Sequence, residues 1–521
     1  MTSPRTRRLF LAVALLTLAV YLVSARGLPT TFDEQIMLDT TTSLVHGKPN
    51  INTPLLNIKE FSGLAVKRDD GKLAGIYGIG NSIASAPLYA AGKLVAQLAP
   101  ASKRPRVITT MMMFTNAFIT AATVFMLMML CALLGASNRG SILVGLSFGL
   151  GSYAYPHALT FFSEPGTALC VIAAVYFAIR ASRSGRRQDL LLCGALAGAA
   201  LLFRISAALF LPVFGVWLLV AGFRRRDGRD GGGGDLRRIV EFGAWFTLGA
   251  LAPIAALLAS NAWRYGSATN FGYALDSANQ SYPIVRGVIG QWFSSGKSLF
   301  LYAPIAVVAV LGLWRSVRKL PLEMCLLGAI VVANTLFFAR VQFWSGDWAW
   351  GPRYLQIVLP CIAAMAAPLM DARFWKRALV VLSVFGFLFA ALPAVATRFT
   401  VEFYAAYAAM PPPTIQGPPN WDHSYYALIW HTWHWQPILY HLRHLPDAFS
   451  NTADHVTNAL GPTPVSKAPG LPRLEFWWLR LRDLGWSALV FFALLAAATA
   501  SAGVRLLNRY LGAPERVAGD L

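Results

Sequence analysis

Charged residues are scarce in this sequence: Asp, Glu, Lys and Arg make up 13 % of its 521 residues, against about a quarter in a soluble domain. Acidic residues are scarcer than basic ones, with 24 Asp and Glu against 45 Lys and Arg. Hydrophobic residues make up 56 %, which excludes a disordered chain and argues against a soluble enzyme. The basic residues lie in loops between apolar runs, as the positive-inside rule predicts. We therefore expect membrane lipids, and no nucleic acid, as partners.

Cysteine is also rare, and none of the five cysteines lies in a loop. A disulfide framework or a thiolate metal site needs cysteines outside apolar segments, so neither is expected. We interpret all five as small buried hydrophobic residues. They are Cys131, Cys170, Cys193, Cys325 and Cys361.

Long apolar runs predict an all-α polytopic membrane protein with about twelve transmembrane helices. The first run follows a basic start that also fits a signal peptide, but we interpret it as a retained helix because many spans follow. The basic loops 180–187 and 224–238 are expected to be cytoplasmic. The count of crossings then requires 80–99 to be an interfacial or re-entrant helix in the first outer loop. The predicted spans are 9–24, 107–134, 141–155, 164–179, 190–203, 205–223, 240–259, 299–314, 322–338, 356–370, 378–395 and 486–504.

Two adjacent acids, Asp33 and Glu34, follow the first span by a few residues. One interpretation is structural: Asp33 or Thr31 caps a helix, and Glu34 complements its dipole. The other is functional: a carboxylate near the outer leaflet acts as a general base or a metal ligand. The two interpretations are compatible, because a capping residue can also be a catalyst.

The second outer turn, YAYPHALTFFSE at 153–164, contains His157 and Glu164. Glu164 precedes a proline, which suits a helix N-terminus, so it is either a cap alone or a second acid of the site. His157 is either an ordinary interface histidine or a lining residue. Arg204 interrupts an apolar hairpin and must reach water or an anion.

Basic residues at the outer face form candidate phosphate sites. Lys103, Arg104 and Arg106 precede the second span, either as a solvated loop or as ligands of a lipid phosphate. The motif VQFWSGDWAWGPRY at 341–354 contains Gly-Asp and Gly-Pro-Arg segments that an aromatic belt does not need. Its Arg353 could bind a phosphate in bidentate fashion. Lys297 is a second candidate. The predicted substrate-lining residues are Tyr77, His157, Trp344, Asp347, Trp350 and Tyr354.

The last outer loop is rich in tryptophan and histidine. The spacing of His431, His434, His441 and His444 puts pairs on one helix face, which is compatible with a metal site. No matching pattern of carboxylates accompanies it. An amphipathic interfacial helix or an acceptor-binding surface are the alternatives.

Four features together resemble the GT-C superfamily of integral membrane glycosyltransferases, near the protein O-mannosyltransferase and lipid A aminoarabinose transferase branch. The first is the acidic pair after helix one. The others are tracts similar to stretches of those relatives: RDDGKLAGIYGIGNSIASAPLYAAG at 68–92, NAWRYGSATNFGY at 261–273 and WSGDWAWGPRYL at 344–355. The resemblance covers roughly residues 5–400 as architecture.

The resemblance implies transfer of a sugar from a polyprenyl-phosphate donor to a glycan, lipid or protein acceptor of the cell envelope. It implies Asp33 as the catalytic base with Glu34 beside it, and Glu164 where relatives often carry an Asp. It also implies a donor phosphate held by Arg353 and the basic residues at 103–106. Some relatives bind a divalent cation and others do not, so no cofactor is assigned and a divalent cation stays open.

The expected organisation has three parts, with the active site facing outside the cytoplasm in the inner (plasma) membrane. Residues 1–395 form the catalytic transmembrane module, including the first outer loop 26–106. Residues 396–485 form an extracytoplasmic loop or small domain, and 486–521 form the last span and a cytoplasmic tail. The alternatives are a lipid or sugar transporter and an inactive scaffold. No internal repeat supports an inverted-repeat transporter.

Overall fold

The protein is a helical bundle with one β-hairpin in the part of the chain that the structure, a computed structural model, describes: residues 3–51, 63–224, 236–273, 281–346, 349–395, 436–449, 476–479 and 484–511. The hairpin consists of antiparallel strands β1 (Ala65–Lys67) and β2 (Leu73–Gly75). The helices are α1 (Pro4–Ser24), α2 (Phe32–Val45), α3 (Gly80–Ala96), α4 (Arg104–Met113), α5 (Thr115–Leu133), α6 (Asn138–Gly149), α7 (Ala154–Ala158), α8 (Glu164–Ser184), α9 (Arg187–Phe203), α10 (Phe210–Arg224), α11 (Leu236–Tyr265), α12 (Ile284–Phe293), α13 (Leu299–Tyr302), α14 (Ile305–Leu311), α15 (Leu313–Lys319), α16 (Pro321–Ala339), α17 (Leu359–Met365), α18 (Arg373–Val395), α19 (Pro437–Phe449) and α20 (Trp486–Leu511).

Eight helical segments among the described residues are long and apolar enough to cross a membrane. They are Pro4–Ser24, Ala101–Leu133, Glu164–Ser184, Ile205–Arg224, Leu236–Tyr265, Pro321–Ala339, Arg373–Ala394 and Trp486–Tyr510. The predicted all-α polytopic membrane protein is therefore confirmed.

The count of twelve spans is not confirmed, because four predicted spans fall on shorter or broken helices. α6 has 12 residues and α9 has 17. The predicted span 299–314 is divided among α13, α14 and α15, with Pro304 and Gly312 at the junctions. Proline removes a backbone donor and glycine weakens a helix, which accounts for these breaks. The fourth predicted span, 356–370, falls on the short apolar segment Leu359–Leu369.

The loop after α1 contains more structure than the sequence predicted. Residues 67–72 form the turn that joins β1 to β2, where the Arg68 N–H donates to the Lys72 carbonyl at 2.8 Å. The segment 80–99 is helical as α3, with Pro87 inside it, and packs along α2 and α4. Its interfacial or re-entrant position remains a prediction.

The largest buried core is formed by α1, α5 to α11, α13, α14 and α16 to α19. Within it, α9 lies between α8 and α11. The backbones of α9 and α11 approach closely, because a Cβ at Gly194 would strike the Phe246 carbonyl and one at Gly249 would strike the Leu191 carbonyl. Small residues permit such packing between membrane helices. This packing fixes the end of α9, and with it Arg204.

Gly78 and Gly80 allow the first loop to pack against the end of α9. A Cβ at Gly78 would lie 2.6 Å from the Phe203 carbonyl oxygen, and one at Gly80 would lie 2.5 Å from the Phe203 ring. Neither glycine has a positive φ. Close approach, rather than a turn that only glycine can form, is therefore the reason for these two residues.

Candidate active site

Asp33 lies in the first turn of α2, whose start is fixed by a capping box. Thr31 Oγ1 accepts from the Glu34 N–H at 3.3 Å, and Glu34 Oε2 accepts from the Thr31 N–H at 3.0 Å. The predicted cap is thus confirmed, with Thr31 as the capping residue. Asp33 is outside this reciprocal pair and its side chain is 26 % exposed. Its carboxylate can therefore meet a substrate.

Glu34, predicted as the neighbour of the catalytic acid, is fully buried and surrounded by donors from the protein. Its Oε2 accepts from the Thr30 N–H at 2.7 Å, and its Oε1 accepts from the Phe161 N–H at 2.8 Å. The Arg26 guanidinium lies 3.6 Å from Oε1. These contacts tie the start of α2 to the segment before α8. The geometry supports a structural role for Glu34 and leaves Asp33 as the accessible acid.

Glu34→Gln is expected to lower the free energy of unfolding by about 1–3 kcal/mol, because a buried donor loses its charged acceptor. The measurement is reversible or thermal unfolding of the purified protein in detergent. Glu241→Gln is the matched control, since the Glu241 side chain is 30 % exposed and should shift the free energy by less than about 0.5 kcal/mol. Equal effects of the two substitutions would contradict the structural role.

Arg353 joins Asp33 to Glu164. Its Nη1 donates to Asp33 Oδ2 at 2.8 Å, and its Nε donates to Glu164 Oε1 at 2.7 Å. Its guanidinium carbon lies 3.8 Å from the centroid of the Phe162 ring. The sequence singled out these three charged residues separately, and the tertiary structure brings them into one cluster.

Two glycines of the 341–354 motif shape the loop that presents Arg353. Gly346 has a φ of +74° and Gly351 a φ of +70°, in the left-handed region that favours glycine. A Cβ at Gly346 would also lie 2.5 Å from the Arg353 Cβ. An aromatic belt would need neither feature. The motif therefore serves to position a guanidinium.

Arg204 is a second guanidinium on Glu164, and it was not among the predicted site residues. Its Nη1 donates to Glu164 Oε1 at 2.7 Å, and its guanidinium carbon lies 4.9 Å from the Tyr354 ring centroid. The other oxygen, Glu164 Oε2, is buried and has no hydrogen-bond partner among the described residues. The sequence signal was present, because an arginine between two apolar runs needs an anion.

The cluster contains equal numbers of opposite charges. The carboxylates of Asp33 and Glu164 face the guanidiniums of Arg353 and Arg204. Buried charges are tolerated when they are paired and hydrogen-bonded in this way. An incoming phosphate would compete with the carboxylates for the same donors, because guanidinium groups bind both in the same planar geometry.

Tyr77 is the predicted lining residue that contacts Asp33. Its hydroxyl donates to Asp33 Oδ1 at 2.5 Å. Burial raises the pKa of the Tyr77 phenol well above its ordinary value, and the nearby carboxylate acts in the same direction. The hydroxyl therefore stays protonated as a donor. Tyr273, which was not predicted, lies with its ring centroid 6.2 Å from that of Tyr77.

His157 and Lys297 hold the backbone just before Arg353. His157 Nε2 donates to the Trp350 carbonyl at 3.0 Å, and the fully buried Lys297 ammonium donates to the Ala349 carbonyl. Burial lowers the pKa of His157 to about 4, so the imidazole is neutral. Both predicted residues therefore lie at the site, where they support the loop of residues 349–353.

Trp344 and Tyr354 serve as packing surfaces. Trp344 is fully buried, and its ring lies 2.5 Å from where a Cβ on Gly290 would be. The Tyr354 ring stacks on Phe338 with centroids 4.3 Å apart and backs the Arg204 guanidinium. Asp347, predicted as a lining residue, lies outside the described residues.

The basic group at 103–106 is not part of the carboxylate cluster. Arg104 and Arg106 are exposed at the start of α4, and Lys103 is half-buried next to them. The ion pairs of Asp33 and Glu164 are made by Arg353 and Arg204 instead. A role of Lys103, Arg104 and Arg106 in holding the donor phosphate thus remains a prediction without a contact to the cluster.

No metal site is evident in the described part of the chain, where no group of three or more His, Cys, Asp or Glu side chains could hold an ion. His431 and His434 lie outside the described residues. His441 is on α19, where its ring centroid lies 4.8 Å from that of Trp350. The divalent cation left open by the sequence therefore gains no ligand set from these residues.

Several solved membrane proteins are similar to this chain. ArnT from Cupriavidus metallidurans bound to undecaprenyl phosphate has a TM-score of 0.46 at 16 % identity, over 96 % of this chain and 77 % of that one. Its apo state gives a TM-score of 0.47 at the same identity and coverage. The archaeal oligosaccharyltransferase AglB from Archaeoglobus fulgidus, in complex with an inhibitory peptide and a dolichol-phosphate, has a TM-score of 0.45 at 11 % identity, over 77 % of this chain and 58 % of that one.

ArnT is a lipid A aminoarabinose transferase, and both proteins belong to the GT-C superfamily that the sequence motifs resemble. No protein-family model matches the chain, and no curated protein matches it. With identities of 16 % or less and TM-scores below 0.5, the reaction of this chain has to be inferred from its own side chains.

Proposed function

We propose that this protein transfers a sugar from a polyprenyl-phosphate donor to an acceptor hydroxyl at the extracytoplasmic face of the membrane, with inversion at the anomeric carbon. The observation that carries the proposal is the cluster in which Arg353 lies between Asp33 and Glu164. It places a partly exposed carboxylate directly beside guanidinium groups. A general base and an anion site are the two elements that such a transfer needs.

The donor phosphate is held by Arg353 and Arg204. Their guanidiniums both donate to Glu164 Oε1, so they lie side by side and can bind adjacent phosphate oxygens. Binding of the phosphate exchanges one anionic partner of Arg353 for another and releases Asp33 Oδ2. Glu164 acts as a positioning residue, because it is fully buried and orients both arginines.

Asp33 takes the proton from the acceptor hydroxyl. The acceptor oxygen forms a bond to the anomeric carbon while the bond between that carbon and the phosphate oxygen breaks. Polyprenyl phosphate leaves with the electron pair, and its charge is stabilised by fixed guanidiniums in a site that excludes much of the water. The proton stays on Asp33 Oδ2 until it is lost to solvent. The step requires no nucleotide.

The test is sugar release from a panel of radiolabelled polyprenyl-phosphate sugars, by the full-length protein in lipid nanodiscs with a cell-envelope extract as acceptor. We expect wild type to consume one donor and Arg204→Gln to bind that donor at least about tenfold more weakly, since a charged hydrogen bond to phosphate contributes 1.5–3 kcal/mol. If wild type neither binds nor consumes any donor of the panel, the proposal is refuted and transport is favoured. Transport would then be measured as flux into reconstituted vesicles.

Tyr77→Phe is expected to lower kcat about tenfold, because one hydrogen bond to the ionised base is lost. The measurement is kcat for sugar release at one fixed pH. Tyr510→Phe, at the far end of α20, is the control. A kcat equal to that of wild type would contradict the role of Tyr77.

A further inference from the structure

A groove opens between α10 and α16 on the surface of the helical bundle. Its volume is about 570 Å³, within the range of about 300–1,000 Å³ that is typical of ligand sites. Val216 and Val220 of α10 and Cys325 of α16 line it with exposed side chains. Its only charged lining residue is Arg224, at the end of α10. The groove therefore suits an apolar ligand that carries a negative charge at one end.

Trp217 holds the two sides of this groove together. Its Nε1 donates to the Leu322 carbonyl at 2.8 Å, which joins α10 to the first turn of α16. The indole is only 6 % exposed, yet it lines the groove. Because its N–H is bonded to the protein, the ring offers the groove an apolar surface. The width of the groove is therefore set by a specific contact between the two helices.

The groove lies at the end of α10 and α16 that is remote from the carboxylate cluster. α10 follows Arg204 of the cluster and ends at Arg224. α16 begins at Pro321 in the groove, and its Phe338 stacks on Tyr354 beside the cluster. With a rise of 1.5 Å per residue, the two ends of α10 are about 20 Å apart. A phosphate at the groove is therefore distinct from the donor phosphate proposed for the cluster.

The length of the groove matches one acyl chain. Its lining positions on α10 run from 212 to 224, which corresponds to about 18 Å along the helix. One leaflet contributes about half of a hydrocarbon core of about 30 Å. Both helices belong to segments long and apolar enough to cross a membrane. An acyl chain that starts at the level of Arg224 can therefore lie in the groove along its whole depth in the leaflet.

The charge at this end is positive. The segment 224–238 contains six arginines and three aspartates, so positive charge remains even when every aspartate pairs with an arginine. The acid in the first turn of α16, Glu323, contacts Arg183 at 2.7 Å. Basic clusters next to a membrane helix attract anionic lipid headgroups. An anionic headgroup is therefore complementary to the end of the groove at Arg224.

The chain that follows Arg224 offers no apolar group to the groove. Residues 225–235 read RRDGRDGGGGD, without one apolar side chain. Charged side chains are costly to place against an apolar surface away from water. The ligand of the groove is therefore expected to come from the membrane.

We propose that the groove between α10 and α16 binds one anionic phospholipid, with an acyl chain along Trp217 and Cys325 and the phosphate at Arg224. Lipid tails are as apolar as the groove, so packing of the chain selects little among phospholipids. The charge-assisted hydrogen bonds from the guanidinium to the phosphate then decide which lipid binds. This site does not depend on the proposed sugar transfer.

Two pairs of substitutions separate the headgroup contact from the chain contact. Arg224→Gln removes the charge, and Arg315→Gln is its control, because the exposed Arg315 on α15 lies over the Trp375 ring of α18. Ala329→Trp fills the groove with a side chain. Val384→Trp is its control, since it places the same side chain on α18, where Val384 is 56 % exposed.

The first experiment titrates the delipidated full-length protein in detergent with phosphatidylglycerol, phosphatidylcholine or polyprenyl phosphate, and counts bound lipid by native mass spectrometry. We expect phosphatidylglycerol to bind with the lowest Kd. Arg224→Gln should raise that Kd about tenfold, equivalent to 1.4 kcal/mol, because a charged hydrogen bond is lost. Ala329→Trp should prevent the binding, and the two control variants should behave as wild type.

Three results of this titration would overturn the proposal. Equal Kd values for phosphatidylglycerol and phosphatidylcholine would mean that only unselective surrounding lipid is bound. A lower Kd for polyprenyl phosphate, raised by Arg224→Gln, would assign the groove to that lipid instead. A dimer of wild type that Ala329→Trp dissociates would assign the groove to a second copy of the chain.

The second experiment places the lipid in the groove through Cys325. This thiol is exposed, whereas the other four cysteines are buried, so N-ethylmaleimide should modify Cys325 first. In nanodiscs of phosphatidylcholine, added phosphatidylglycerol should slow the reaction of wild type at least about twofold, because half occupancy already shields half of the thiols. Arg224→Gln should react at the same rate with and without phosphatidylglycerol. A wild-type rate that phosphatidylglycerol does not change would refute the proposal.

Thermal unfolding in the same nanodiscs shows whether the variants are folded. A lipid that binds the native state raises the unfolding temperature, so phosphatidylglycerol should stabilise wild type and Arg315→Gln but not Arg224→Gln. Equal stabilisation of all three proteins would contradict a phosphate contact at Arg224. These results leave the proposed sugar transfer unaffected, because the cluster lies at the other end of the two helices.

Discussion

Asp33→Asn is expected to reduce kcat for sugar transfer about 10²- to 10⁴-fold, the range that a general base contributes. The amide keeps the shape of the carboxylate but cannot accept the acceptor proton. Asp33 is partly exposed, and within the described part of the chain its oxygens accept side-chain hydrogen bonds only from Tyr77 and Arg353, so the substitution should leave the fold intact. The measurement is single-turnover sugar release with the donor that wild type consumes.

Asp39→Asn is the matched control, because Asp39 lies on the same helix and accepts from the Gln35 side chain at 2.9 Å. It should retain activity within about twofold of wild type, because the half-buried Asp39 is not a member of the carboxylate cluster. Thermal unfolding of both variants shows whether a loss of activity reflects unfolding. Full activity of a folded Asp33→Asn protein would remove Asp33 from the mechanism.

Arg353→Gln is expected to abolish donor binding and also to destabilise the fold by about 3 kcal/mol, near the lower end for breaking a buried ion pair. Two features keep the loss of stability near the lower end of that range. Asp33 is partly exposed, and Glu164 retains Arg204. The measurements are the donor Kd and the unfolding midpoint of the same protein preparation.

The double substitution Arg353→Gln with Asp33→Asn separates the two effects. It restores the balance of charge, so we expect stability to recover toward wild type while activity stays lost. Arg340→Gln is the control, because Arg340 is exposed at the end of α16. A double variant as unstable as Arg353→Gln alone would show that charge imbalance is not the source of the instability.

The sequence identified most members of the candidate site but not their contacts. Asp33, Glu164 and Arg353 were singled out because charges near a membrane need a partner, and the cluster now joins them. Arg204 was recognised as needing an anion without being placed at the site. Tyr273 ends the tract 261–273 of the GT-C resemblance, but no role was assigned to it, because one tyrosine in a loop has no periodicity or charge pattern that marks a function.

The difference between the two acids of the Asp33–Glu34 pair shows why contacts escape the sequence. Local rules predicted a cap at Asp33 or Thr31 with Glu34 complementing the helix dipole, and the structure shows Thr31 and Glu34 as a reciprocal capping box. The bond from the Phe161 N–H to Glu34 and the contact of Arg353 with Asp33 join segments far apart in the chain. Only those contacts make Glu34 structural and leave Asp33 accessible.

The sequence by itself determined the membrane class, the start of α2 and the identity of the charged residues, because hydropathy, capping and desolvation act on local stretches of chain. The tertiary structure alone decided how many apolar runs form long helices, how Gly78 and Gly80 contact Phe203, and which carboxylate Arg204 and Arg353 share. These outcomes depend on packing between distant segments, which no local pattern records.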